Sequence, residues 1–261
     1  MGRPFISAVS ISSPYAVLSP ADIESIERAT LAAVAPNELE EFAGWLLAYG
    51  RGPISRAKSA VPLSHAAAPR AFAARIERRY RERNLAAAFR LADLPQFEPL
   101  CAELRALGYT PVQPTLVMVA ECATVRGLGD GAPAKLATVP DERWSGVFAG
   151  PGFDPAEGAA RARALSRAKD AIYASIDDLG ETVAIGTGSF GFGWASVHGM
   201  RTIAQARGRG FASRILATLA VAALERGCVR MFLQVEEPNR AVRLYQRAGF
   251  ATAWRYRYWR R

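Results

Sequence analysis

The chain has 261 residues, which is enough for one large domain or two ordinary ones, and a net charge of +9. Half of its residues are apolar, which is enough to form a hydrophobic core. Its three cysteines are far apart and form neither a zinc-ligand spacing nor a disulfide framework, and two histidines cannot build a His-rich metal site. No apolar run reaches membrane-spanning length, and no signal-peptide pattern is present. We therefore expect a cytoplasmic protein with no metal.

The net charge admits two explanations. One is a nucleic-acid interface, and the other is the arginine-rich surface of a bacterial protein that also binds a small anion. The basic residues are scattered along the chain, and Glu77 and Glu82 interrupt the small cluster at 75–83. We therefore expect an anionic ligand and no nucleic-acid partner.

Helical and extended patterns alternate along the chain, which predicts an α/β protein with a mixed sheet. In the first half we expect helices over 21–33, 69–84 and 95–107, and extended segments over 45–49, 54–63, 86–91 and 109–121. In the second half we expect a loop over 126–140, helices over 155–170, 211–226 and 238–248, and strands over 171–176, 182–189, 194–203, 229–236 and 250–259.

The two halves share an order of elements. In each half a strand precedes a helix that ends at a glycine followed by an aromatic residue, Gly108-Tyr109 and Gly249-Phe250, and an extended tail follows. This order predicts a degenerate internal repeat, which we divide into residues 1–112 and 113–261.

A basic, glycine-rich turn joins the strand at 194–203 to the following helix. Glycines let an anion approach the main chain, the first N–H groups of a helix are unpaired, and arginines add full charge. Ser213 stands where a dinucleotide fingerprint has its third glycine, and no Gly-Lys-Ser/Thr follows. The turn predicts a pyrophosphate site, with an ordinary basic loop as the alternative; its residues are Arg207, Gly208, Arg209, Gly210, Phe211 and Ala212.

Residues 186–191 match the pattern G-x-G-x-x-G and follow a strand. The segment after them continues as another strand, whereas a nucleotide fingerprint needs a helix whose N-terminus faces the phosphates. We therefore interpret these residues as a glycine-rich turn between neighbouring strands.

A second motif follows the strand at 229–236, on a helix predicted to open at Asn239. Its residues are Asn239, Ala241, Leu244, Tyr245, Gly249 and Phe250. Together with the upstream Arg-Gly-Arg-Gly-x-Ala turn, this motif resembles the GNAT superfamily of acyl-CoA-dependent N-acyltransferases. The motifs cover about residues 182–260, and the order of elements extends the match back to about residue 113.

The resemblance implies a GNAT fold in the second half, packed against a degenerate GNAT-like first half, with acetyl-CoA as the cosubstrate. The strand ending at Met200, Arg201 and Thr202 would pair with the pantetheine arm. The turn at 207–212 would hold the pyrophosphate through main-chain N–H groups, and Asn239 would lie near the pantetheine. The proline usual in the family after that strand is Ala204 here, which removes no donor.

The resemblance also implies direct attack of a neutral amine on the thioester, with Tyr245 as the proton donor to the departing thiolate. A main-chain N–H near Met200 would stabilise the oxyanion. The glutamate that often serves as general base aligns with Ser196, which is no base. His198 could relay a proton instead, and Glu236 or Glu237 could act through water, so the base stays open.

The first half has no Arg-Gly-Arg-Gly turn, no counterpart of Asn239, and Leu104 where the repeat would place Tyr245. We therefore predict one acetyl-CoA site and a first half that forms a wall of the acceptor pocket. The expected function is N-acetylation of a small amine or amino-acid-like acceptor; the alternative is a non-catalytic acyl-CoA-binding protein. The alternating Trp254, Tyr256 and Tyr258 fit a pocket, a core or a dimer seam, which leaves a homodimer open.

Overall fold

The computed structural model describes residues 18–150 and 154–261. Its elements in chain order are α1 (Pro20–Val34), β1 (Leu39–Phe42), β2 (Trp45–Ala48), β3 (Ala60–Pro62), α2 (Phe72–Arg81), β4 (Phe89–Ala92), α3 (Glu98–Ala106), β5 (Thr110–Glu121), α4 (Cys122–Arg126), β6 (Lys135–Ala137), α5 (Glu142–Gly146), α6 (Pro155–Leu165), β7 (Ala171–Asp178), β8 (Glu181–Gly191), β9 (Trp194–Thr202), α7 (Phe211–Glu225), β10 (Arg230–Glu236), α8 (Val242–Arg247) and β11 (Ala251–Arg260). No helix in these two ranges is both long and apolar enough to cross a membrane.

All eleven described strands belong to one mixed sheet, in the order β1-β2-β3-β4-β11-β5-β10-β9-β8-β7-β6. Two neighbouring pairs, β3 with β4 and β9 with β10, run parallel, and the other pairs are antiparallel. This confirms the α/β fold class with a mixed sheet.

The strand order is symmetric about the β11–β5 pair, which supports the internal repeat. On either side lie a parallel pair and then antiparallel strands, so β3 and β4 correspond to β9 and β10. The last strand of each half pairs with the other half: β5 lies beside β10, and β11 lies beside β4. The predicted boundary after residue 112 falls inside β5, and the division of the chain there stays a prediction.

Helices cover both faces of the sheet in the second half. On the first face, which we call the α7 face, Ile215 and Leu219 of α7 pack in one core with Ala195 and Val197 of β9. On the opposite face, which we call the α1 face, α1 of the first half lies against β8 and β9. There Ser25 of α1 accepts a 2.8 Å hydrogen bond from the indole of Trp194 in β9. The first half therefore covers strands of the second.

A buried ion pair fixes α1 on that face. Both carboxylate oxygens of Glu27 in α1 accept hydrogen bonds from Arg90 in β4, at 3.0 and 2.5 Å. Both side chains are almost completely buried. Farther along α1, Thr30 accepts a 2.8 Å hydrogen bond from Gln234 of β10, which ties the helix to the second half as well.

The predicted strand over 54–63 is wrong. Residues Ser55–Lys58 form a single 3-10 turn, and the strand is confined to Ala60–Pro62. The chain folds back so tightly before this turn that a Cβ on Gly50 would lie 2.3 Å from the carbonyl oxygen of Ala57. As a result Arg56 lies on the turn between β2 and β3 rather than in a strand.

Two further predictions need correction. The helix expected over 238–248 is shortened to α8 because the side chain of Asn239 accepts a 2.9 Å hydrogen bond from the Ala241 N–H, forming a turn instead. The glycine run at 186–191 lies within β8, and the turn to β9 is formed by Phe192 and Gly193. A Cβ on Gly186 would lie 2.5 Å from Met200 Sδ and 2.8 Å from Ile215 Cγ2, so a larger residue there would displace both side chains. Strands β1 and β6 and helices α4 and α5 had not been expected, and β6 lies inside the segment 126–140 that was predicted to be a loop.

Candidate active site

The sheet opens between β9 and β10. Their parallel pairing runs from Met231↔Ala195 to Leu233↔Val197 and then stops, although β9 continues to Thr202 and β10 to Glu236. Main-chain groups of 198–202 that point toward β10 therefore have no partner in that strand. An extended ligand segment can pair with such groups as if it were another strand.

A bulge at Gly199 deforms β9 beside this opening. The pairing with β8 shifts between Ile185 and Thr187, so that two residues of β9 oppose one of β8. Gly199 has φ +60°, and a Cβ on it would lie 2.7 Å from Leu165 Cδ1. Both the backbone conformation and the close approach of α6 therefore require glycine here. The bulge turns Met200 toward the α7 face.

A cavity of about 390 Å³ passes through the opening from one sheet face to the other. Three of the residues predicted to bind the cofactor line it, namely Met200, Arg201 and Asn239, as do both predicted catalytic residues, Tyr245 and His198. Thr202 and the turn at 207–212 do not line this cavity. Thr202 pairs with Ala184 of β8, and the turn lies at the start of α7.

The turn before α7 is shaped for an anion. Gly208 and Gly210 both have φ +80°, and no atom lies within 4 Å of where their Cβ atoms would be, so this main chain faces open space. Gly210 is the N-cap of α7, and no side chain caps the helix. The N–H groups of its first turn, which begins with Phe211 and Ala212, are therefore available.

The two arginines of this turn are positioned differently. Arg207 donates a 3.3 Å hydrogen bond to the carbonyl oxygen of Thr202, which ties the turn to the end of β9. Arg209 forms a 2.5 Å ion pair with Asp178, at the end of β7. Because Arg209 is exposed and Asp178 only half-buried, this pair contributes little free energy, and the guanidinium can still bind a phosphate.

Tyr245 of α8 lies on the α7 face of the cavity. Its ring is 7 % exposed and packs edge-on against Phe250, with ring centroids 6.1 Å apart. Burial raises the pKa of the Tyr245 phenol to about 12, so the hydroxyl is protonated at neutral pH. A protonated phenol at this place can donate a proton or a hydrogen bond to a group in the cavity.

His198 lies on the opposite side, on the α1 face, and is 4 % exposed. Burial, reinforced by the charge of Arg56, lowers its pKa to about 3, so the imidazole is neutral at pH 7. Ser196 donates its hydroxyl proton to the Ser189 carbonyl at 3.2 Å, so the 2.9 Å contact to Ser196 Oγ requires the proton of His198 on Nε2. Nδ1 is therefore the free acceptor.

Several cavity residues were missed by the sequence reasoning. The first half contributes the stretch 53–56, including Arg56, and β5 contributes Gln113 and Thr115. Tyr256 and Tyr258 also line the cavity, so the alternating aromatics of β11 line a pocket and pack in the core together. Their alternation was the one signal in the sequence; nothing local to Arg56 marked it as a site residue.

These features fit the implied acetyl-CoA. The unpaired edge of β9 suits an extended pantetheine arm, and the uncapped N-terminus of α7 with its two open glycines suits a pyrophosphate. Both lie toward the α7 face, which leaves the α1 face of the cavity for a second substrate. Within the described ranges, no group of three His, Cys, Asp or Glu side chains is arranged to hold a metal ion.

A central sheet that opens between two parallel strands, with a glycine-rich turn and helix after the first of them, is the fold of the GNAT superfamily. The family model described as "Probable histone acetyltransferase Rv0428c C-terminal" matches residues 20–259. The chain belongs to this family. No curated protein matches it in sequence.

Solved structures support the same fold at low sequence identity. A GCN5-related N-acetyltransferase from Kribbella flavida is 16% identical, with a TM-score of 0.66 over 91% of this chain and 95% of the other. A conserved protein of unknown function from Staphylococcus epidermidis is 14% identical, with a TM-score of 0.66 over 87% and 94%. A tandem GNAT protein from the clavulanic acid biosynthesis pathway is 16% identical, with a TM-score of 0.58 over 93% and 96%. The last likeness agrees with two GNAT-like halves.

Proposed function

We propose that the protein is an N-acetyltransferase that moves an acetyl group from acetyl-CoA to a primary amine by direct attack in a ternary complex. The observation that carries this proposal is the cavity through the β9–β10 opening, which has Tyr245 on one sheet face and His198 on the other. A cosubstrate held on the α7 face and an amine on the α1 face would meet in the plane of the sheet.

The chain's own groups divide the work between binding and proton transfer. The cosubstrate supplies an activated acetyl thioester. The main chain of 198–202 orients the extended ligand, and the turn at 207–212 with the α7 N-terminus binds its pyrophosphate. Asn239 lies at the mouth of the cavity and Tyr245 donates a proton to the leaving sulfur. Holding both substrates in one enclosed space supplies much of the rate.

The group that accepts the proton of the attacking amine is less well defined than the group that protonates the leaving sulfur. Ser196, at the position where a glutamate was expected, is buried and hydrogen-bonded to the main chain, so it accepts no proton. His198 offers Nδ1, but its low pKa makes it a weak base, and its Nε2–H donates to buried Ser196, so a proton taken up at Nδ1 has to leave through water in the cavity. Glu236 lines the cavity mouth and can receive that proton through water.

The test is incubation of the full-length protein with acetyl-CoA and a panel of primary amines. We expect release of free CoA, followed with a thiol reagent, together with an acetylated amine identified by its mass. Steady hydrolysis of acetyl-CoA with no acetylated amine would contradict the proposal.

The absence of a carboxylate at Ser196 favours one alternative, a non-catalytic acyl-CoA-binding protein. It predicts tight binding of acetyl-CoA in calorimetry and no turnover with any amine of the panel. The same two measurements therefore separate the candidates.

A further inference from the structure

Guanidinium groups dominate the α1 face of the cavity. Arg56 from the first half, Arg161 of α6 and Arg201 of β9 all line it, and Glu236 is the one carboxylate among its described lining residues. Glu236 already accepts a 2.8 Å hydrogen bond from Gln113. The cavity therefore holds more positive than negative charge before any ligand enters.

The neighbouring acids do not neutralise Arg56. The carboxylate of Glu27, whose charge acts on Arg56, is bound by both terminal nitrogens of Arg90. Within residues 18–150 and 154–261, Arg56 forms no ion pair and no hydrogen bond, and its Nε is buried without a partner. Burying an N–H donor of a charged group costs free energy unless an acceptor forms a hydrogen bond with it.

The other two arginines add to the positive potential. Arg161 donates a 2.8 Å hydrogen bond to Glu157, but its Nε is also buried without a partner. Burial, and then the like charge of Arg161, lower the pKa of the Arg201 guanidinium, while the Glu157 carboxylate opposes this shift and Arg207 adds to it. Like charges are thus gathered where the thioester's reaction partner would enter.

We propose that the acceptor is a small amine that also carries an anionic group, a carboxylate or a phosphate, and that Arg56 binds this group. The inference rests on the proposed function and names its substrate class. A guanidinium binds either anion through paired N–H···O bonds, which fixes the orientation of the amine as well as its affinity. Arg56 would then aim the amine at the opening between β9 and β10.

The family description names a histone acetyltransferase, and a histone tail is rich in lysine and arginine. Such a tail would bring further positive charge against Arg56, Arg161 and Arg201. A cavity of about 390 Å³ also suits a molecule of the size of an amino acid better than a chain segment. The charge of the cavity therefore opposes a polybasic acceptor.

The experiment compares pairs of acceptors that differ in whether they carry an anionic group. The full-length protein with acetyl-CoA is offered the common amino acids and their amides, aminoethyl phosphate and ethanolamine, and a lysine-rich peptide. We expect kcat/KM to be at least about tenfold higher for the anionic member of the preferred pair, as one charge-assisted bidentate contact provides. The carboxylate and phosphate arms identify which anion is bound.

The variant Arg56→Gln should bring the two members of that pair to nearly equal kcat/KM, while the calorimetric Kd for acetyl-CoA stays unchanged. The control is Lys58→Gln, which removes a charge from the same 3-10 turn outside the cavity lining. It should keep the full preference. Equal use of acid and amide by the unmodified protein, a preference that survives Arg56→Gln, or better use of the lysine-rich peptide would each overturn the proposal.

A failure of the proposed function gives a different result. If no amine is acetylated, the same probes are titrated into the CoA-bound protein by calorimetry. Tighter binding of an acid than of its amide, lost in Arg56→Gln and kept in Lys58→Gln, would support the anion site in a protein that does not catalyse. Equal or undetectable binding of all probes would overturn it.

Discussion

The two halves share a topology but differ at the place where the second half opens. In the second half the parallel pair β9 and β10 separates while both strands continue. In the first half β3 has only three residues and a single registered pair with β4, Ala60↔Phe89. Past its end His65 packs edge-on against Trp254 and Phe97, with centroids 5.1 and 6.2 Å away. Aromatic rings fill the region where the second half has a cavity.

The helices that follow the parallel strands also carry site features in the second half that the first half lacks. The N-cap of α7 is Gly210 in an open glycine turn, whereas the N-cap of α2 is Ala71 with no glycine near it. Leu104, fully buried, stands at the place of Tyr245. The first half therefore keeps the topology of the fold but lacks three features of the candidate site. These are two parallel strands that continue after their pairing ends, a glycine turn open to solvent before the following helix, and the hydroxyl of Tyr245. The first half instead supplies walls.

The largest effect should come from a negative charge placed at the N-cap of α7, compared with the same charge at the equivalent N-cap of α2. Gly210→Glu puts a side chain and a negative charge on the open turn, so we expect acetyl-CoA binding to become undetectable by calorimetry. Ala71→Glu is the matched control, because Ala71 also has a positive φ, +54°, at a helix N-cap. It should leave the affinity unchanged. Equal affinity of both variants for acetyl-CoA would contradict the assignment of the turn at 207–212 as the pyrophosphate site.

The next effect concerns the ion pair of the first half that holds α1 over β8 and β9 of the second half. Glu27→Gln leaves the guanidinium of Arg90 buried without its counter-charge, so we expect a loss of about 3 kcal/mol in the free energy of unfolding. Because one sheet runs through both halves, urea unfolding should stay a single transition. The double variant Glu27→Leu/Arg90→Met should recover most of the loss. Two separate transitions would mean that the halves are independent units.

A smaller effect is expected from the hydroxyl that the first half lacks. Tyr245→Phe should lower kcat about 100-fold and change KM little if the phenol is the proton donor. Tyr80→Phe serves as the control, since it removes a buried hydroxyl of the first half that donates to the Ala48 carbonyl at 3.0 Å. That variant should lose about 1 kcal/mol of stability and keep its kcat. An unchanged kcat in Tyr245→Phe would make Tyr245 a packing residue.

Local sequence signals predicted the features that local residues determine. The helix ends at Gly108 and Gly249, the strands of the second half, and the turn at 207–212 depend on glycine, on alternation and on the helix N-terminus. They were therefore visible in the order of residues. The symmetric strand order supports the repeat that the shared order of elements predicted.

Features that depend on contacts between distant segments could not be found in this way. The exchange of β5 and β11 between the halves brings Gln113 and Tyr256 beside one cavity, although they are far apart in the chain. Arg56 was placed in a strand over 54–63, whereas the close packing of Gly50 on Ala57 makes that segment a turn. Such contacts carry no periodic signal.

The smallest effect compares the one described histidine of each half. The folded-state pKa of His198 is about 3 and that of His65 about 4, both below the ordinary value of 6.5, because burial opposes the charged form. Below pH 6.5 the unfolded chain therefore binds protons that the folded chain does not, and stability is lost as the pH falls. Each pH unit below 6.5 should remove about 1.4 kcal/mol for the fully buried His198.

Between pH 7 and 5.5, His198→Gln should thus lose about 1 kcal/mol less stability than the unmodified protein in urea titrations. His65→Gln should show a change of the same sign and nearly the same size in this window, because a folded-state pKa of about 4 also lies well below pH 5.5. Arg56 is the charge that acts on His198 in addition to burial. A slope unaltered by His198→Gln would mean that the ring takes up its proton at the same pH in the folded and the unfolded protein, which would contradict its burial as a neutral group at pH 5.5.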